Sequence, residues 1–183
     1  MGKDEEILII EELKNTETKE IAFEKIIKLY KERLYFHIRR MVIDHDDTND
    51  ILQDTFYKAF INIETFRFES SIFTWLYKIA TSITLNFLNK KNRHPILSLS
   101  DKNTEYLTSK LEDSDFFDGD ELQKKFQKAI LKLPKKQQLV FNMRYYEDIK
   151  YEEMSEILGT SVGALKSSYH AAVKKIEISI NEN

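Results

Sequence analysis

The sequence predicts an all-α protein: two small helical domains joined by an acidic linker, the C-terminal one a helix-turn-helix. Three observations carry that expectation. Gly and Pro are scarce, 4 and 2 in 183 residues, while helix-forming residues abound. Apolar residues recur at helical spacing over most of the chain. Between residues 94 and 121 that recurrence is lost, and Asp, Glu, Ser, Thr and Asn take over, which is the composition of a tether rather than of a packed element.

Residues 1–20 are charged, poor in aromatics and carry one apolar patch, so a loosely docked lead-in is expected. From Ile21 the apolar residues repeat at helical spacing to about Ile43. Residues 44–47, Asp-His-Asp-Asp, supply a turn and an N-cap, with acids facing the positive end of the following helix. That helix is expected over 48–61, burying Ile51, Phe56, Ala59, Phe60 and Ile63. Asp50, Gln53, Asp54 and Tyr57 fall at i, i+3, i+4, i+7 and share its outward stripe. Such a stripe is either an ordinary solvated face or a flat surface for docking a partner helix.

Residues 66–71 interrupt the periodicity and read as a short loop, with Ser70 or Ser71 capping a helix over 72–91 that Pro95 ends. Ile72, Leu76, Ile79, Ala80, Ile83 and Phe87 are its expected core face. The stretch 70–100 contains no Asp or Glu, and it interleaves Lys78, Lys90, Lys91 and Arg93 with Phe73, Trp75, Tyr77 and Phe87. Cations suit phosphates and π-faces suit unstacked bases, so a nucleic-acid strand fits this pattern. An amphipathic core helix with a basic end that complements its dipole fits it equally.

Beyond the linker, 122–133 is expected to be helical, and Pro134 starts a second helix that runs to about Tyr145. Residues 151–158 form a short helix, Gly159 takes the turn, Ser161 caps, and a final helix runs over 162–178. Helix, glycine-containing turn and helix make the helix-turn-helix pattern, or an ordinary two-helix corner. Val162, Leu165, Tyr169, Ala172, Val173 and Ile176 gather on one side of the last helix. Ala164, Ser167, His170, Lys174 and Lys175 take the other, with Lys166 and Ser168 at its edges. Small side chains allow close approach to a groove floor, and lysines reach phosphates.

The remaining chemistry is sparse. The formal net charge of −3 excludes a global polyanion binder, so any DNA contact must be local. With no Cys there is neither a disulfide framework nor a thiolate zinc site, which suits a reducing cytoplasm. The longest apolar run, 7–10, is too short for a membrane span or a signal peptide's core, so a soluble cytoplasmic protein is expected. No glycine-rich phosphate loop, metal-ligand spacing or nucleophile constellation occurs, and neither an enzyme nor a cofactor is expected.

The block 46–80 (DDTNDILQDTFYKAFINIETFRFESSIFTWLYKIA), a basic helix end, a linker and the block 133–172 (LPKKQQLVFNMRYYEDIKYEEMSEILGTSVGALKSSYHAA) together resemble a bacterial RNA polymerase sigma factor of the small extracytoplasmic-function type. The resemblance covers about 21–178. It implies a region 2 domain over 21–94, a linker over 95–121 and a region 4 domain over 122–183, after a lead-in over 1–20. It implies that Asp50, Gln53, Asp54 and Tyr57 grip the clamp coiled coil of the polymerase's largest subunit. Phe66, Arg67, Ser70, Ser71, Tyr77, Lys78, Ser82, Lys90, Lys91 and Arg93 would then open and hold the minus-ten element, with Phe66, Tyr77 and Ser82 lining a flipped-base pocket. The acidic linker would thread the RNA-exit channel near the flap. Ser161, Ala164, Lys166, Ser167, Ser168, His170, Lys174 and Lys175 would read the minus-thirty-five element, and an anti-sigma factor would restrain the whole. Ser82 stands where the family commonly has Asn, Ser168 and Ala171 where it often has Arg, and Phe68 where Gly is usual. Two other classes compete: a stand-alone helix-turn-helix regulator acting without polymerase, and a helical adaptor using the same faces without DNA.

Overall fold

In the computed structural model, residues 3–66, 70–93, 107–109, 111 and 121–181 are described, and among them the regular structure is helical throughout. The first group comprises α1 (Lys3–Lys14), α2 (Lys19–Val42), α3 (His45–Ile61), a 3₁₀ turn (Ile63–Thr65) and α4 (Ile72–Arg93). The second comprises α5 (Glu121–Leu131), α6 (Lys135–Tyr145), α7 (Tyr151–Leu158) and α8 (Val162–Asn181).

The N-terminal residues are better anchored than their composition suggests. Ile9 and Leu13, one turn apart, are both buried against α2, and Lys25 Nζ pairs with Glu12 at 2.7 Å. Glu6 reaches farther, accepting the Ile72 N–H at 2.8 Å, so α1 satisfies an otherwise orphaned donor at the start of α4.

α2 ends at Ile43, which has φ 69°, an uncommon conformation for a β-branched residue. Burial holds it there, since Ile43 clusters with Leu107, Leu111 and Leu131. The acidic connector is therefore pinned to both helical groups by two leucines at i and i+4, an apolar signal that its charge conceals. α3 begins three residues earlier than its periodicity predicts, because Asp44 is the N-cap and accepts from the N–H groups of Asp46 (3.0 Å) and Asp47 (3.1 Å).

The buried side of α4 is broader than its apolar pattern. Ile72, Leu76 and Ala80 are buried as expected, but Thr74, Tyr77, Thr81, Thr84 and Leu88 are buried too, while Ile79, Ile83 and Phe87 are only half-buried. The reason is that α4 is covered twice, by α2 and α3 on one side and by α7 on another. In the second group Pro134 is the N-cap of α6, so the helix begins at Lys135, one residue later than expected. Phe141 stacks on Tyr145 at 5.1 Å and on Tyr169 at 5.7 Å, over a core of Ile130, Leu133, Ala172 and Ile176. The two groups are not separate cores. Met41, Leu76 and Leu88 belong to the same apolar cluster as Leu139, Val140, Met143 and Met154.

Asp44 holds the corner between α2 and α3, so Asp44→Ala is expected to cost about 0.5–2 kcal/mol. Asp44→Asn should recover most of it, measured by urea denaturation.

Candidate partner and nucleic-acid surfaces

Four surfaces carry the residues singled out by sequence. On α3, Asp50, Gln53, Asp54 and Tyr57 are all exposed, Tyr57 at 64%. The opposite side of that helix is buried through Ile51, Leu52, Phe56 and Ala59. A helix buried on one stripe presents the other as a rigid flat surface, here acidic at one end and aromatic at the other. A groove of about 540 Å³ separates this stripe from α4, bounded by Asp50, Asp54, Lys58, Phe87 and Lys90.

The second surface is the start of α4. Ser71 caps the helix, its Oγ accepting from the Thr74 N–H at 3.1 Å. Ser70 is half-buried beside it. Phe66 is 6% exposed and stacks on Trp75 at 4.7 Å between centroids. Lys78, Ser82 and Lys90 are exposed along the helix. Lys91 is half-buried, tied to Asp47 at 2.5 Å and lying 4.7 Å over the Phe87 ring. Arg67 and Phe68, and the side chain of Arg93, lie outside the described residues. Tyr77 stands apart from the others: it is 0% exposed, packed against Phe73 at 4.2 Å and His37 at 4.8 Å.

What covers Tyr77 is a third feature, which sequence reasoning missed. Glu147, in the corner between α6 and α7, projects into a site formed by α2 and α4. Its Oε1 lies 3.0 Å from His37 Nδ1, and His37 Nε2 lies 3.0 Å from Thr81 Oγ1. An ionised carboxylate can only accept, so His37 Nδ1 carries a proton. Burial alone would push the Glu147 carboxyl up. The His37 imidazole, the Tyr77 hydroxyl and the Arg40 guanidinium outweigh it and hold the carboxyl below its usual value. Burial, with Glu147 nearby, pushes the Tyr77 hydroxyl far up, so it stays protonated. Arg40 also lies 4.5 Å over the Tyr146 ring, joining the two groups a second time. The available signals were a histidine in an apolar helix and an acid in a helix-to-helix corner, too common to pair across 110 positions.

The fourth surface is α8. Gly159 ends α7 with φ 60° and ψ 34°, the left-handed conformation a tight turn needs. Ser161 Oγ, at 3.4 Å from the Ala164 N–H, starts α8. Leu165, Ala172 and Ile176 are buried. Ala164, Lys166, Ser167, His170, Lys174 and Lys175 are exposed together, and Ser168 is half-buried at their edge. Lys166 leans over Tyr151 at 5.7 Å and Lys175 reaches Gln137 at 3.0 Å, so both ammonium groups are held near the helix they flank. Among the described residues no group of His, Asp or Glu could hold a metal ion, and no helix is long and apolar enough to cross a membrane.

Comparison with known proteins finds two family blocks in this chain. Residues 26–94 match the family model for sigma-70 region 2, and residues 123–176 match that for sigma-70, region 4. The ECF RNA polymerase sigma factor SigW of Bacillus subtilis is 33% identical over 156 residues, covering 81% of this chain and 83% of that protein. The ECF RNA polymerase sigma-E factor of Haemophilus influenzae is 30% identical over 164 residues, covering 85% and 86%. Among solved structures, CnrH in complex with the cytosolic domain of CnrY has a TM-score of 0.71 at 17% identity, covering 98% of each chain. The sigma factor RpoE bound to the anti-sigma factor NepR, from Bartonella quintana, has a TM-score of 0.65 at 21% identity, covering 87% of this chain and 96% of that one.

Because the Glu147 carboxyl is held low in the folded chain, its contribution to stability is fully present above the usual carboxylate value. That contribution is lost as pH falls through the lowered one. Glu147→Gln should therefore flatten the acid limb of a stability-versus-pH curve measured by urea denaturation, relative to the wild-type chain.

Proposed function

Because the chain belongs to the extracytoplasmic-function branch of the sigma-70 family, we propose a division of labour among its surfaces during promoter-specific initiation. The chain is an alternative sigma factor that binds core RNA polymerase and directs initiation at its promoters, and not a stand-alone regulator. Members of the family are DNA-recognition proteins. The observation that carries the assignment is the pairing of both family blocks, in order, within one chain.

In the proposed division, residues 21–94 form the region 2 domain, 95–121 the linker and 122–183 the region 4 domain. Asp50, Gln53, Asp54 and Tyr57 dock onto the clamp coiled coil of the largest polymerase subunit, and their joint exposure on one stripe of α3 supports this. The start of α4 faces the minus-ten element. There Phe66, Tyr77 and Ser82 take an extruded base, while Arg67, Ser70, Ser71, Lys78, Lys90, Lys91 and Arg93 follow the strand. Extrusion costs a few kcal/mol and stacking on an aromatic returns about 1–3 kcal/mol per base, so the pocket helps to melt the duplex. α8 enters the major groove at the minus-thirty-five element. With Ser168 and Ala171 on that helix it lacks the bidentate arginine–guanine contacts worth about 1–3 kcal/mol each. It reads instead by close approach, by lysine–phosphate pairing and by duplex shape. An anti-sigma factor would restrain the chain, in keeping with a solved structure of this fold, RpoE with NepR, that was captured with such a partner.

Reconstitution with core polymerase on a promoter library tests the assignment, and run-off transcript should require the added chain. Replacing Gln53, Asp54 and Tyr57 together by alanine should weaken core binding by roughly tenfold or more without changing thermal stability. Replacing Lys166, Lys174 and Lys175 by alanine should make the salt dependence of promoter binding shallower. The slope of log K against log salt should fall by about 0.9 for each phosphate that the chain no longer neutralises.

A further inference from the structure

α1 lies outside both family blocks, since the region 2 match begins at residue 26. It is nevertheless fixed to the domain. Ile9 and Leu13 are buried, and Glu12 pairs with Lys25 at 2.7 Å. Thr18 Oγ1 donates to the Glu12 carbonyl at 2.7 Å and closes the corner into α2. From this anchored helix Glu6 crosses to the start of α4, where a carboxylate oxygen accepts the Ile72 N–H at 2.8 Å.

The first N–H groups of a helix have no partners inside it, and their capping decides whether the first turn stays wound. In α4 that task is divided between two segments of the chain. Ser71 Oγ accepts the Thr74 N–H at 3.1 Å, and Glu6 accepts the Ile72 N–H as a carboxylate at the positive end of the helix dipole. The Ile72 side chain, 1% exposed, roots the turn in the core but offers its backbone no acceptor. The same turn ends at Trp75, whose N–H donates to the Ser71 carbonyl at 3.1 Å and whose ring stacks on Phe66. Whatever winds residues 72–75 therefore also sets the Phe66–Trp75 stack, and Phe66 belongs to the surface proposed to meet the minus-ten element.

We infer that Glu6 is a positioning residue for promoter opening: from α1 it caps α4 and keeps the first turn of the strand-facing helix wound before DNA arrives. The inference rests on the proposed function. Stacking on an aromatic only narrowly offsets the extrusion of a base, so any ordering left to the moment of opening adds to that barrier. A template melted beforehand does not present the barrier, and there the cap has little to contribute.

The test uses graded changes at Glu6. Glu6→Gln keeps an acceptor oxygen at the same reach, Glu6→Asp keeps the charge but is a methylene short, and Glu6→Ala loses both. Glu11→Ala removes a carboxylate from the exposed side of α1 as the control. In the free chain, exchange of the Ile72 amide should speed up roughly tenfold in Glu6→Ala and Glu6→Asp. It should stay near the wild-type rate in Glu6→Gln and Glu11→Ala. With core polymerase on a duplex promoter, open-complex formation should slow at least roughly threefold in Glu6→Ala and Glu6→Asp alone. On a promoter premelted at the minus-ten element both should match the wild-type chain, and core affinity should be the same throughout. Should Glu6→Ala lose helical circular dichroism, Glu6→Asp against Glu6→Gln carries the comparison. Unchanged Ile72 exchange in Glu6→Ala and Glu6→Asp overturns the inference. So does faster exchange with wild-type opening of the duplex, an equal slowing on the premelted promoter, or the same slowing in Glu11→Ala. A wild-type chain that supports initiation on neither template overturns the proposed function instead, and Ile72 exchange then measures the cap by itself.

Discussion

α4 has to do two things with one cylinder, and most of the architecture follows from that constraint. Twenty-two residues in a helix offer one stripe to a core, and what remains must meet solvent or a ligand. Ile72, Leu76, Ala80 and Leu88 take the core stripe, leaving Lys78, Ser82 and Lys90 outward. A second neighbour, α7, also packs on α4, and the helix buries threonines and Tyr77 as well as aliphatic residues. Those hydroxyls are accommodated locally. Thr84 Oγ1 donates to the Ala80 carbonyl at 2.8 Å, and Thr81 meets His37.

The all-α class, the order of the helices and the outward stripes of α3 and α8 were legible because each rests on local periodicity. The start of α3 was misplaced by three residues, since three acids in 44–47 compete for the cap and only backbone geometry chooses Asp44. The docking of α1 escaped notice because its apolar stripe is two residues wide, Ile9 and Leu13, and its most specific interaction is a side chain reaching Ile72 across 66 positions. Leu107 and Leu111 were hidden within an acidic background, although their spacing is helical. The pairing of His37 with Glu147 had no sequence signal. A buried ion pair is specified by two distant surfaces meeting, and neither residue is unusual alone.

The distribution of charge explains how an acidic chain can face DNA. Acids are concentrated near the N-terminus, at the α2–α3 corner and in the connector, while α4 from Lys78 to Lys91 and the outer face of α8 carry lysines. Each surface therefore has its own sign. With a Debye length of about 8 Å at physiological salt, a patch on one face is little affected by the opposite charge on another. Local sign, and not the total, governs encounter with a polyanion. The same separation permits Glu147 to enter a cluster of His37 and Arg40 while the lysines of α8 stay on an outer face.

Energetic scale separates what the apolar and the charged parts of this joint contribute. Aliphatic side chains fully buried between the two groups contribute about 1.5–3 kcal/mol each, and a joint made only of them would be hard to undo with the few kcal/mol that base stacking supplies. A buried charge pair behaves differently. Its attraction is largely spent on desolvation, and the net contribution is small or even unfavourable against an apolar replacement. The pair selects one closed arrangement, while Met41, Leu76, Leu139, Val140, Met143 and Met154 supply the apolar burial that holds it.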